Sequence, residues 1–220
     1  MQTKRPQLAE LLRKLKLPAD FHKQQLCSDS RCIKPGMTFI ALGDNARAYV
    51  NAKQAIANGA SIIVHDSSLK IKSDKTKCYA IKALRKTLPD LAAAFYGNPS
   101  YKLNTVAVTG TNGKSSICYG LASLYAALEQ NWAICGTLGW GNINSLQQSK
   151  LTTPDNLSLQ HYLAQIVAEG NLGVCLEASS HALMQNRLQN IAIDSAIYTR
   201  LSRDHLDYHL TMDNYAAAKA

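Results

Sequence analysis

The chain has 220 residues, 46% of them hydrophobic by type, and a formal net charge of +9 at pH 7. That is enough apolar material for one large or two modest packed cores, and too much for a disordered chain. No apolar run approaches the ~20 residues that cross a bilayer, and the opening MQTKRPQLAELLRKLKLP scatters charges through its apolar positions, so a cytoplasmic protein with no membrane partner is expected.

The strands and helices alternate. MTFIAL (37–42) predicts a strand, AYVNAKQAIANG (48–59) a helix closed by Gly59, and ASIIVHD (60–66) a second strand, which together make one βαβ unit. KTLPDLAAAFY (86–96) reads as helical from Leu91 onward, and GNPSYKLN then breaks it. The strand NTVAVTG (104–110) leads into a helix whose Ile117, Leu121, Leu124 and Leu128 share one face by spacing. WAICGT (132–137) is a strand, LSLQHYLAQIVAEG (157–170) a helix stopped by Gly170, and LGVCLEAS (172–179) and SAIYTRL (195–201) are further strands. This alternation implies an α/β fold with mainly parallel sheets in both halves.

Charge divides the chain at the same breaker. Residues 1–98 hold 17 Lys and Arg against 7 Asp and Glu, whereas 99–220 hold 7 against 8. A domain boundary near residue 98 is therefore expected. The basic first part either attracts an anionic partner or is a solvated lysine-rich surface. It has no basic stripe interleaved with aromatics, so nucleic acid is not the expected partner. The six cysteines, Cys27, Cys32, Cys78, Cys118, Cys135 and Cys175, form no C-x-x-C pair and sit among apolar neighbours. They read as buried free thiols in a reducing compartment.

Three stretches carry chemistry. VTGTNGKSS (108–116) places a Gly-rich turn between a strand and a helix, the arrangement that cradles phosphate. Gly110 and Gly113 let the backbone N–H groups turn inward, Lys114 brings positive charge, and Ser115 offers a hydroxyl to Mg²⁺. The strict G-x-x-x-x-G-K-[ST] pattern is broken at its first position by Val108. Glu177 ends an apolar strand, and a carboxylate at the C-terminal end of a parallel strand reaches the same rim as such a loop. LSRDHLDYH (201–209) spaces His205 and His209 for one helix face, but a zinc H-E-x-x-H motif fails because Leu206 stands where glutamate is needed.

Taken in order, TGTNGKSS, LTTPDN, EASSHAL and RDHLDYHLTMDNYAAAKA resemble the Mur ligases, the ATP-dependent amide-forming enzymes of peptidoglycan precursor synthesis. The likeness is strongest to the branch that adds the third residue of the stem peptide. SDSRCIKPGMTFIAL resembles that branch's uridine-binding segment and AAAFYGNPS its inter-domain join, so the resemblance covers about residues 25–220. TGTNGK is also similar to folylpolyglutamate synthetases, and DSR…KPG…F to the ligase that adds the terminal dipeptide.

The resemblance implies roles. ATP would phosphorylate the terminal carboxylate of UDP-MurNAc-L-Ala-D-Glu, and the amine of an amino acid (meso-diaminopimelate ahead of L-lysine) would displace phosphate. Residues 1–98 would bind the uridine end through Ser28, Ser30 and the turn Asp44–Asn45–Ala46. Residues 99–220 would be the incomplete P-loop-type central domain, with Gly110, Thr111, Asn112, Gly113, Lys114, Ser115 and Ser116 around ATP. Thr152, Thr153, Ser179, Gln185 and Arg187 would hold the muramyl peptide. Lys114, Glu177, His205 and Lys219 would be the catalytic set, with Ser115 and Glu177 on one Mg²⁺ and His205 on a second. Lys219 would become N6-carboxylysine, a further metal ligand.

Three positions depart from the family pattern. GKSS replaces GKTT, Arg200 stands where asparagine is usual, and GDNARAYV lacks the usual Asp-Gly-His. Family members also continue past Ala220, into a C-terminal domain for the incoming amino acid. On that comparison Lys219 is expected in a fraying terminus, and the 220-residue chain is expected to make no tripeptide unaided. Another ligase of the superfamily, or a non-catalytic uridine-nucleotide-binding remnant, are the alternatives that these letters leave open.

Overall fold

The computed structural model describes residues 7–219. The opening MQTKRP and Ala220 lie outside the described residues. The chain divides into two compact units, Met1–Phe95 and Tyr96–Ala220, against the boundary expected near residue 98.

The first unit has the order α1 (Leu8–Leu15), β1 (Leu26–Cys27), β2 (Thr38–Ile40), α2 (Ala46–Ala57), β3 (Ile62–Asp66), β4 (Lys77–Ile81) and α3 (Leu84–Phe95). Its four strands pair in parallel in the order β1-β2-β3-β4. Phe39 and Ile63 from the sheet pack against Ala48, Ala52 and Ala55, the buried alanine face of α2. β4 escapes a hydropathy reading because it is an edge strand whose Lys77 and Ala80 are exposed.

Two boundaries in this unit correct the sequence reading. Asn45 Oδ1 accepts from Ala48 N–H at 3.1 Å, so α2 starts at Ala46 and that residue is helical rather than part of a turn. α3 starts at Leu84, not Leu91. Asp66 Oδ2 accepts from Leu84 N–H at 2.9 Å and anchors the first turn. Leu84, Leu88, Leu91 and Ala92 then form one buried face, and that burial outweighs the hydrogen bond lost at Pro89 inside the helix.

The second unit runs β5 (Asn104–Thr109), α4 (Lys114–Ala127), β6 (Trp132–Gly136), β7 (Gly139–Asn142), α5 (Asn156–Ala168), β8 (Gly173–Glu177), α6 (Ser180–Met184), β9 (Ser195–Tyr198), α7 (Leu206–His209) and α8 (Met212–Ala217). The sheet order is β7-β6-β8-β5-β9, with only the β6–β7 pair antiparallel. The strands that follow β5 are laid on both of its sides. Consequently the C-terminal ends of β5, β6, β8 and β9 share one rim, where open α/β sheets place their ligands.

α4 packs part of the expected face: Ile117 and Leu121 lie against the core, while Leu124 and Leu128 do not. Cys118 and Ala122 are buried against Val108, Trp132, Ile134 and Cys175, flanked by Ile117, Leu121 and Tyr125. Leu124 and Leu128 are 64% and 67% exposed. Close approach of helix to sheet selects small side chains at the centre of the contact, larger ones pack at its margin, and Leu124 and Leu128 fall outside it. Among the described residues no helix is long and apolar enough to cross a membrane.

Candidate active site

β5 feeds the turn Gly110–Gly113, and Gly113 caps α4 in the left-handed region with φ 88°. Gly110 has φ 134°, and a Cβ there would fall inside contact distance of Thr199 Oγ1. Both glycines are therefore required, one by space and conformation and one by conformation. Thr199 Oγ1 donates to Asn112 O at 2.7 Å, and Arg200 O accepts from Thr111 N–H at 2.8 Å. The end of β9 thus clamps the loop from outside. Arg200 reaches the loop through its backbone carbonyl, and the residue itself is exposed.

Thr111 is the buried hub of the turn. Its Oγ1 donates to Ser202 O (3.1 Å), accepts from Ser202 N–H (2.9 Å) and meets Tyr215 OH at 3.1 Å. Tyr215 is fully buried. Lys114 Nζ folds back onto its own loop, donating to Gly110 O and Thr111 O, each at 3.0 Å.

Ser115 is the second residue of α4, and its Oγ donates to Glu177 Oε1 at 2.8 Å. Val108 pairs with Glu177 in the parallel register, which brings the end of β8 level with the loop. Glu177 is only 2% exposed, and a buried carboxylate must be hydrogen-bonded to persist. Its donors are Ser115 Oγ, Thr137 N–H (2.8 Å) and Thr137 Oγ1 (3.2 Å).

The residues proposed for the muramyl peptide meet beside it. Thr153 Oγ1 donates to Glu177 O at 2.7 Å, lies 3.1 Å from Ser179 Oγ, and accepts from Ser179 N–H. Arg187 donates through Nη1 to Thr153 O (2.6 Å), and through Nε and Nη2 to Gln185 Oε1. Thr152 Oγ1 lies 3.0 Å from Thr137 Oγ1. Lys114, Ser115, Thr152, Glu177, Ser179 and His205 line one cleft of about 200 Å³.

His205 does not lie on a helix face with His209. It caps α7 in the left-handed region, φ 50°, with Nε2 3.4 Å from Asp204 Oδ2. His209 is buried, and its Nε2 bonds Ser180 Oγ at 2.9 Å. Burial, reinforced by His205, holds the His181 and His209 imidazoles below their ordinary value. Among the described residues, no three His, Cys, Asp or Glu side chains are grouped to hold a metal ion.

Lys219 corrects the expectation of a frayed terminus. It is 8% exposed, donates to Gly110 O at 3.1 Å, and lies over the Tyr215 ring with Nζ 4.8 Å from the centroid. Burial, then the charge of Lys114, pulls its pKa down to about 8. In the first unit Asp44, Asn45 and Ala46 are exposed, whereas Ser30 is buried with its hydroxyl committed to Gln54 Oε1 at 2.7 Å. Ser116 sits in the first turn of α4.

Residues 108–220 match the Mur ligase middle domain, more than half of the chain. The chain belongs to the Mur ligase family. This Mur ligase chain is 40% identical over 200 residues to the UDP-N-acetylmuramoyl-L-alanyl-D-glutamate–2,6-diaminopimelate ligase of Pseudomonas syringae pv. tomato, covering 90% of this chain and 41% of that protein. It is 38% identical over 208 residues to the ligase of the same name from Coxiella burnetii, covering 92% and 42%. A solved structure under that name aligns with TM-score 0.73 and 31% identity, over 98% of this chain and 44% of that one. The chain spans about two fifths of the length of these curated relatives.

Three residues of the Mur ligase rim escaped the sequence reading: Thr137, Thr199 and Tyr215. The first two directly follow strands of the shared rim, and Glu177 ends another. The strand-end argument that found Glu177 applies equally to the Thr that follows WAICG and to the Thr that follows SAIY. Tyr215 had no signal beyond a helical tyrosine.

Proposed function

We propose that this chain is the nucleotide- and muramyl-binding portion of a cytoplasmic ATP-dependent ligase, one that joins 2,6-diaminopimelate to UDP-MurNAc-L-Ala-D-Glu. The observation that carries the reading is the 2.8 Å contact between the loop hydroxyl of Ser115 and the strand-end carboxylate of Glu177, with Thr152, Thr153, Ser179, Gln185 and Arg187 on the same rim. The names of the relatives supply the choice of substrates.

In the reaction, the bond from the γ-phosphorus of ATP to its bridging oxygen breaks and ADP leaves. A new bond joins that phosphorus to a carboxylate oxygen of the D-Glu residue. The amine nitrogen of the amino acid then bonds to the acyl carbon, the carbon–oxygen bond to phosphate breaks, and the amine gives up a proton. The protein's work is positioning and charge neutralisation. Loop N–H groups of Gly110–Ser116 and the Lys114 ammonium would hold the phosphates. Lys114 is held by two loop carbonyls, which phosphate oxygens would replace.

Ser115 and Glu177 are oxygen donors suited to a hard cation that keeps most of its waters, so they fit Mg²⁺. When bound, Mg²⁺ neutralises charge on the phosphoryl oxygens. His205 and a carboxylated Lys219 would hold a second Mg²⁺. Lys219 supports this role by being buried with its pKa drawn down to about 8, which raises the fraction of neutral amine, the only form that adds to CO₂. The uridine end is assigned to the first unit, at Ser28, Ser30, Asp44, Asn45 and Ala46. Cys118, Cys135 and Cys175 are buried thiols, which agrees with a reducing cytoplasmic compartment, whereas Cys32 is exposed and Cys27 and Cys78 are half-buried.

Calorimetric titration with Mg²⁺ and AMP-PNP, a non-hydrolysable ATP analogue, tests the nucleotide half of the reading. Saturable binding is expected, weakened about tenfold or more (a loss of about 1.4 kcal/mol or more) by Lys114→Ala and by Ser115→Ala. Equal binding by all three proteins, or none by the folded wild type, overturns it.

A further inference from the structure

β6 ends in Gly136, followed by Thr137. A Cβ on Gly136 would fall inside contact distance of Glu177 Oε1, so the glycine clears the space that lets a buried carboxylate stand at the rim. Thr137 then engages both carboxylate oxygens. Its N–H donates to Oε1 at 2.8 Å and its Oγ1 lies 3.2 Å from Oε2. The same Oγ1 lies 3.0 Å from Thr152 Oγ1. Thr137 is an exposed residue lining the cleft, so this triangle is not a core contact.

A hydroxyl carries one hydrogen and two lone pairs. Thr137 can donate to Glu177 or to Thr152, and not to both. When it donates to Glu177, the Thr152 hydroxyl is free to donate back to Thr137, and its hydrogen is consumed inside the protein. A cation on the Glu177 oxygens draws charge from them and weakens them as acceptors of the Thr137 hydrogen. Thr137 then donates to Thr152, and the Thr152 hydrogen turns outward to an acceptor in the cleft. The two arrangements exchange by rotating hydroxyl hydrogens alone; the first is satisfied within the protein, the second once a cation and a cleft acceptor are in place.

We infer that Thr137 is a positioning residue that couples the two sides of the cleft, passing the state of Glu177 on the nucleotide side to Thr152 on the muramyl-peptide side through one shared hydroxyl. This deepens the function proposed above and rests on it. Loading the cation and nucleotide side releases a donor for a carboxylate or carbonyl oxygen of the muramyl peptide, so the coupling is positive and reciprocal.

The test is calorimetric titration of the 220-residue chain with UDP-MurNAc-L-Ala-D-Glu, with and without saturating Mg²⁺ and AMP-PNP. In wild type the nucleotide should tighten the muramyl ligand by about fivefold or more, the lower end of ordinary couplings. Thr137→Val should bring that ratio to one whatever it does to either affinity alone, and Thr137→Ser, which keeps the hydroxyl, should restore it. Thr152→Val should also bring the ratio to one, and the double variant should lose nothing further. That second variant carries the test should Thr137→Val not fold. A Thr137→Val protein with the wild-type ratio, or a wild type that binds both ligands with a ratio of one, overturns the inference. A folded wild type that binds neither ligand overturns the function proposed above, and the coupling with it.

Discussion

Lys219 Nζ donates to the carbonyl of Gly110 at 3.1 Å, on the same oxygen that Lys114 Nζ reaches at 3.0 Å. Two ammonium groups thus converge on the phosphate loop, one from within it and one from beyond α8. The Lys219 pKa falls from an ordinary 10.5 to about 8, chiefly by burial and secondarily by Lys114. Between those values the unfolded chain binds more protons than the folded one, so stability rises with pH. Relative to Lys219→Met, wild type should gain stability from about pH 8 to about pH 10.5 and change little below. Denaturant unfolding across that window checks it, and a falling or flat difference contradicts it.

The same depressed pKa makes Lys219 nucleophilic toward CO₂ near neutral pH. In ¹³C-bicarbonate at about pH 8, wild type should show a carbamate carbon resonance. Lys219→Met should lack it. A resonance of equal intensity in both proteins would place the modification elsewhere.

The two loop glycines should differ in their tolerance. Gly113→Ala meets only Thr199 Cγ2 at 4.0 Å and suffers mainly from its φ of 88°, at about 1–2 kcal/mol. Gly110→Ala adds a clash with Thr199 Oγ1 and crowds the Arg200 backbone at 3.1 Å. It should lower stability by a further 1–3 kcal/mol or so, and weaken AMP-PNP binding more than Gly113→Ala does. Thermal unfolding and titration of the pair decide the order.

Much of the sheet was legible in the sequence, because parallel strands buried on both faces read as apolar runs bounded by glycine. NTVAVTG, WAICGT and LGVCLEAS each became a central strand. β7 was missed because GWGN carries two glycines and little apolar signal, yet hairpin pairing with β6 holds it. The start of α3 was missed because its anchor, Asp66, lies 18 residues upstream. The loop lysine and strand-end glutamate could be found by motif and rim position. Thr137, on Glu177, and Thr199, on the loop, each follow a strand of the same rim and were open to the same argument as Glu177, whereas Tyr215, which braces Thr111, is set by tertiary contact and carries no local pattern.

The hub at Thr111 gives a graded pair of variants. Tyr215→Phe removes one neutral hydrogen bond and leaves Thr111 bonded to Ser202, so it should cost about 1 kcal/mol. Thr111→Val strands the Ser202 N–H as well as the Tyr215 hydroxyl, and should cost more, about 1–3 kcal/mol. Urea unfolding of the two variants ranks them, and a larger loss in Tyr215→Phe would contradict the hub.

The most direct measurement is calorimetric titration of the chain with UDP-MurNAc-L-Ala-D-Glu against UDP-glucose. Saturable binding of the muramyl nucleotide, with UDP-glucose weaker by about tenfold or more (about 1.4 kcal/mol), is the predicted result. Equal affinity for both, or no binding by protein whose fold is confirmed by circular dichroism, would contradict the assignment of the muramyl peptide to Thr152, Thr153, Ser179, Gln185 and Arg187.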